Sequence, residues 1–526
     1  MSTRHDSRFR KPGILLALAS ALLLLVSACG GGASGAAQKV DTDYGDPVSG
    51  GELRIGYALS PSSLDPLRGG AGSDHVTLYP IYDRLVNFDD EMKPVPSLAK
   101  SWENPDPKTL VLHLQQGVTF HDGTPFNADA VKFNLDRGRT NPVSNVKAEL
   151  ASVTSVDVVD DATVKLALAE PDSSLLLKLA DRAGMMASPA ALQSDPDALT
   201  KKPVGTGPFS FVSFSPGDSL VLEKNQNYWQ DGKPYLDKLA FKFMTNTQTL
   251  VNSIQGGQVD FVTRLNAQTY KSLNAKSDLV VSADTSLGVD GCYINASMAP
   301  TDNLQLRQAM AYAIDYEGMK NSLTFGAGGE IASGLFPKDY WAHPSVEWPY
   351  KYDVKKAKEL VAESGVENPE VNVVGFNGPG EQRKLEIIQG YLKAVGITMN
   401  INIEEVGTAT ADYVAQKFGM YCASWTGRPD PSQTYDNLLS PTGYFNGGKY
   451  AEPGVEQALS AGNEVTGLKE RVSAFDAAAQ YEADTLLFLP MVHVPLVTAY
   501  APKVKGYYPS LYGKADPSFL WIGKKS

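Results

Sequence analysis

The chain has 526 residues, enough for roughly three domains at about 100–200 residues each. With 43% hydrophobic and 20% charged residues it has the make-up of a packed globular protein, which excludes the disordered and fibrous classes. A formal charge of -12 with no long Lys/Arg run argues against nucleic acid as a partner, and three cysteines are too few for a disulfide scaffold or a thiolate zinc cluster.

Arg4, Arg8, Arg10 and Lys11 give a positive start, followed by an apolar run from Ile14 to Val26. That run is too short to span a bilayer comfortably and reads as a secretory signal, residues 1–28. It ends in Val26-Ser27-Ala28-Cys29, which resembles a bacterial lipobox, so Cys29 is expected to carry lipid after cleavage. Residues 29–49 then form a flexible Gly/Ala/Ser-rich tether. Removing the signal leaves 43 basic and 58 acidic residues, a formal charge of -15 on an exported body held at the outer face of the membrane.

Ordered sequence begins near Gly50. Glu52 to Tyr57 reads as a strand, and Leu110, Leu112 and Leu114 alternate as a half-buried one. Asp302 precedes an apolar stripe at Leu306, Met310, Ala313 and Ile314, and with Gln305 it forms a candidate capping box. Asp353 can cap a helix carrying Ala357, Leu360 and Val361 that stops at Gly365. A strand at Val371–Val374, a helix over 380–394, a strand over 397–403, a helix over 409–418 and a strand from Met420 to Trp425 follow. Such alternation predicts βαβ units, a mostly parallel sheet, and a ligand site beyond the strand ends, near Thr426 to Pro431.

Four segments occur in one order: Pro96 to Arg137, Pro203 to Trp229, Leu306 to Asp315, and Ser424 to Leu439. Together they resemble the solute-binding proteins of ABC importers in the oligopeptide, dipeptide and nickel group, extracellular solute-binding protein family 5. The resemblance implies an α/β, two-lobed periplasmic-binding-protein-like (type II) fold with an extra domain inserted in the first lobe. The first lobe is expected over 50–285 with the insertion at about 81–208, the second lobe over 286–489, and a return to the first over 490–526. His121 to Pro125 and Gly205 to Pro208 then read as structural turns.

The resemblance also implies function: capture of a peptide or peptide-like solute by a monomer, without cofactor or metal, for delivery to membrane permease and ATPase subunits. In peptide-binding members the residue after the Trp-x-x triplet is commonly an aspartate that pairs with the peptide's free amine. Here it is Arg428, with Asp430 two residues on. An arginine facing the cleft repels an ammonium and favours a carboxylate or phosphate. The alternative is that it turns into an internal salt bridge.

Trp425, Thr426 and Gly427 are further candidate ligand residues, with Asp65, Gly70 and Ser73 from the first lobe and Tyr444 and Asn446 at the cleft mouth. Cys292 and Cys422 lie on strands that can neighbour each other, as a disulfide or as two thiols.

An exported enzyme is the competing class. Ser97-Leu98-Ala99-Lys100 and Ser144-Asn145-Val146-Lys147 match Ser-x-x-Lys, yet the Ser-Asp-Asn and Lys-Thr-Gly partners are missing. The six histidines show no metal-ligand spacing, and no His-Glu-x-x-His or Walker A sequence occurs. A non-peptide anion, such as an organic acid, sugar phosphate or metal chelate, is the alternative ligand.

Overall fold

A computed structural model describes residues 45–69, 74–378, 380–451 and 453–523. Cys29, Gly70 and Ser73, and with them the lipobox and part of the first-lobe loop, lie outside the described residues.

Two mixed sheets form the lobes. The first has seven strands in the order Val280–Asp284, Leu496–Tyr500, Phe261–Leu265, Glu52–Tyr57, Lys238–Phe243, Ser219–Lys224 and Phe209–Ser215. The second has six, in the order Glu330–Ile331, Phe488–His493, Asp290–Ile294, Met420–Cys422, Glu370–Phe376 and Thr398–Glu404. The expected parallel pairing is confined to part of each sheet. Glu370–Phe376 runs parallel to both Thr398–Glu404 and Met420–Cys422, whereas Asp290–Ile294 is antiparallel to both of its neighbours. The reason is topological: the strand that enters each lobe from the other, Asp290–Ile294 or Leu496–Tyr500, runs against the parallel strands, whereas the one that leaves, Phe488–His493 or Val280–Asp284, runs with them.

The chain crosses between the sheets twice, between Asp284 and Asp290 and again between His493 and Leu496. The second crossing corrects the expected boundary at 490, because Val492 still pairs with Asp290 in the second sheet. Within 81–208 a separate four-stranded antiparallel sheet (99–106, 109–114, 163–168, 153–160) packs under the helix Ala128–Thr140. The two predicted turns meet there: the His121 imidazole lies 2.9 Å from the Gly207 carbonyl, and its Nδ1 accepts from the Gly205 amide.

Local signals place the elements well. Glu52–Tyr57 is central, with Leu53 and Ile55 wholly inside, Tyr57 buried on the same face, and Glu52 and Arg54 reaching solvent from the other. Asp353 caps Val354–Glu363 by accepting from the Lys356 amide at 2.9 Å. For the helix Leu304–Ala313 the cap is Asn303 rather than Asp302, accepting from Leu306 at 3.0 Å. The helix predicted over 409–418 is Val406–Val414, and the strand ending at Trp425 is shortened to Met420–Cys422, with Trp425 meeting Val289 through an isolated bridge.

Cys292 and Cys422 stand directly opposite each other on paired antiparallel strands and form a disulfide in the heart of the second-lobe sheet. Separate apolar clusters cover the two faces of that sheet.

Candidate functional site

Two adjoining cavities open between the lobes at the crossings. One, of about 250 Å³, is lined by the crossing residues Ser286, Gly288, Val494 and Pro495, by Leu496 of the first sheet, and by Phe325, Glu381, Lys384 and Trp425 of the second lobe. Its neighbour, of about 260 Å³, is lined by His75, by Glu149, Lys178, Asp181 and Arg182 of the insertion, by Thr426 to Pro429, and by Tyr512 and Lys514 near the C-terminus. Arg264, Thr426 and Tyr512 border both. The first is the more apolar chamber and the second is crowded with charge.

The segment after Met420–Cys422 supplies the second lobe's share. Trp425 is buried and its indole N–H donates to the Thr434 hydroxyl at 3.2 Å, which fixes the ring at the cavity wall. Phe445 meets it edge-on at 5.8 Å. The Arg428 guanidinium lies 4.6 Å from the Trp425 ring centre and donates to the Gly427 carbonyl at 2.7 Å. Among the described residues no carboxylate stands within 4.0 Å of Arg428, so the internal salt bridge expected as the alternative does not form in this state. Gly427 has φ of +76°, and a Cβ there would meet the Leu287 Cβ at 2.3 Å, so the first crossing and the cleft loop touch through a missing side chain.

Several expected ligand residues are engaged elsewhere. Asp430 is wholly buried: it caps Pro431–Leu439, and both its oxygens accept from Arg471, at 2.7 and 2.9 Å. Asp65 is likewise buried and held by Arg137 and Arg68. Asn446 ties the carbonyls of Leu439, Ser440 and Tyr450 together, and Tyr444 is half exposed with its ring against Phe445. None of these four lines either cavity. Trp425, Thr426, Gly427 and Arg428 are brought together at the cleft.

The charged chamber also contains residues that sequence patterns did not single out. Asp181 lies 2.7 Å from the His75 imidazole, accepts from the Tyr512 hydroxyl, and stands 4.0 Å from the Lys514 ammonium. Burial pushes Lys514 down to about 7 and His75 down to about 4, against the pull of Asp181. Glu149 is pushed up to about 7 by burial, which outweighs the nearby Arg182 and Arg428. In the apolar chamber Lys384 is buried between Asp290 at 2.7 Å and Glu381 at 2.6 Å. Among the described residues no three His, Cys, Asp or Glu side chains converge as a metal site, and no helix is long and apolar enough to cross a membrane.

Across the cleft, Ser173 of the insertion donates to the Asn463 carbonyl at 2.9 Å, and the Trp341 backbone N–H donates to the Glu91 carbonyl at 3.3 Å. The 81–208 insertion therefore touches the second lobe directly.

Two α/β lobes crossed twice by the chain, with a cavity at the crossings and an extra domain on one lobe, define a two-lobed solute-binding protein. The family model for bacterial extracellular solute-binding proteins, family 5 Middle, matches residues 93–446. The chain belongs to that family.

It is 30% identical to the glutathione-binding protein GsiB of Pectobacterium atrosepticum over 85% of this chain and 89% of that one. The periplasmic binding protein DppA of Helicobacter pylori, solved with the peptide STSA, superposes with a TM-score of 0.76 at 26% identity, covering 91% of this chain and 99% of DppA. AgaA of A. tumefaciens R10, solved with agropinic acid, gives 0.76 at 25% identity over 90% and 99%. These relatives are named as binding proteins, and DppA as associated with an ABC transporter.

Proposed function

We propose that this chain is the capture subunit of an ABC importer, held outside the membrane by lipid on Cys29. It closes on a short peptide or peptide-like solute whose carboxylate docks on Arg428. The carrying observation is that Arg428 faces the inter-lobe cavity, stacked on Trp425 and unpaired by any described carboxylate. A guanidinium in that place suits a carboxylate and rejects an ammonium. Closure follows ligand because only the closed form touches it from both lobes. The likeness to a glutathione-binding protein supports a small acidic peptide, and the likeness to AgaA keeps a non-peptide acid as the second reading. The protein does no chemistry on its cargo in either case.

The test is mass spectrometry of the chain expressed without residues 1–29, first native and then denatured, to identify what co-purifies. A small acid that is lost in Arg428→Asp supports the reading. A ladder of ordinary peptides, retained through their free amines, overturns it. Metabolic acyl labelling that is abolished in Cys29→Ala tests the anchor.

A further inference from the structure

Three arginines from three parts of the chain border the charged chamber: Arg182 from the insertion, Arg264 from the first-lobe sheet and Arg428 from the second lobe. Each is aimed by a backbone carbonyl and not by an acid. Arg182 donates to the Gly69 carbonyl, Arg264 to that of Gly513 at 2.5 Å, and Arg428 to that of Gly427 at 2.7 Å. A guanidinium carries five N–H donors, so one carbonyl, joined for Arg428 by the Thr426 hydroxyl at 3.4 Å, orients it and leaves most of the fork free.

The other charges in the chamber, Glu149 apart, are already matched. Asp181 answers His75 and Lys514, and Lys178 pairs with Asp172 at 2.8 Å. Among the described residues no carboxylate lies within 4.0 Å of any of the three arginines, and Glu149 is the one remaining acid among the lining residues described.

Arg264 has a second mark. It sits at φ of +59° inside Phe261–Leu265, where the pairing with Leu496–Tyr500 slips by one residue between Val262 and Leu265. A bulge of this kind re-aims a side chain, and a left-handed arginine costs conformational energy that a plain strand would not spend. The fold thus accepts local strain and turns this guanidinium toward the cleft.

We infer that this chamber binds the head of a solute bearing two negative charges close together, a dicarboxylate or phosphoryl group, gripped jointly by Arg182, Arg264 and Arg428. The remainder of the solute extends past Trp425 into the apolar chamber. The inference rests on the proposed capture role and narrows its cargo from an acid to a dianion. Because the arginines come from the insertion and from both lobes, the head is fully bound only when the cleft is shut, which couples recognition to closure.

The experiment measures thermal stabilisation and calorimetric binding of the chain lacking residues 1–29. The probes are succinate against succinamate, Ala-Glu against Ala-Gln, and inorganic phosphate against chloride at matched ionic strength. Succinate and Ala-Glu should bind roughly ten- to hundredfold more tightly than their amides if a charge-assisted contact is lost. Preference for phosphate would instead mark a phosphoryl head.

Arg264→Asn tolerates the left-handed backbone and should abolish the dianion preference, and Arg428→Gln, whose backbone is not constrained in this way, should do the same. No preference for dianions in any pair overturns the inference. A co-purified monoacid retained by Arg264→Asn overturns it while leaving the capture role intact. A co-purified cationic solute overturns both.

Discussion

Replacing Asp430 by Asn separates two roles that the residue's position allows. Asp430 is 0% exposed and Arg471 is 2% exposed, and the carboxylate takes two guanidinium hydrogen bonds while also capping Pro431–Leu439. The amide keeps the shape and most of the cap but loses the charge. Arg471 then stays buried against Trp341 and Phe475, its Nε still on the Gly462 carbonyl, with no counter-ion. Breaking one side of a buried pair costs about 3–5 kcal/mol, because the surviving charge is stranded in a poorly polarisable site. For a body of this size, unfolding entropy is about 1 kcal/mol per kelvin, so Tm should fall by roughly 3–5 °C. Arg471→Met added to Asp430→Asn should recover part of that loss, since the stranded charge is gone. Differential scanning calorimetry measures the stability, and calorimetric titration with the co-purified solute measures binding. An unchanged Tm together with a lost ligand would refute the structural role and return Asp430 to the cleft.

Gly427→Ala should destabilise the protein by about 1–3 kcal/mol and slow closure, since its Cβ would meet Leu287 at 2.3 Å from a left-handed backbone; urea unfolding and small-angle scattering would read the two effects. Burial pushes Glu482 up to about 8, above its ordinary value, so the unfolded chain ionises before the folded one. Stability should therefore decline as pH rises from about 4.5 to about 8, and Glu482→Gln should flatten that decline in a series of melting curves. Denatured but unreduced protein should take up no alkylating label at Cys292 or Cys422, and the double Ser variant should lose about 2–5 kcal/mol.

Sequence alone determined whatever depends on neighbours along the chain. Glu52–Tyr57 and the Asp353-capped helix follow from apolar period and a capping side chain, both local signals. The four family segments carried the two-lobed fold, and the Trp425 to Arg428 stretch was legible because one segment holds it whole. Tertiary structure decided which charged side chains face the cleft. Asp430 and Arg428 are two residues apart, yet Arg471 on the helix Leu468–Thr485 draws the first inward and leaves the second at the cavity. Arg182 and Arg264 join Arg428 only because the chain crosses between lobes and one strand bulges. Cys292 and Cys422 became a pair through strand register. Charge partners and register are set by packing between distant segments, and the local pattern of a sequence holds no record of them.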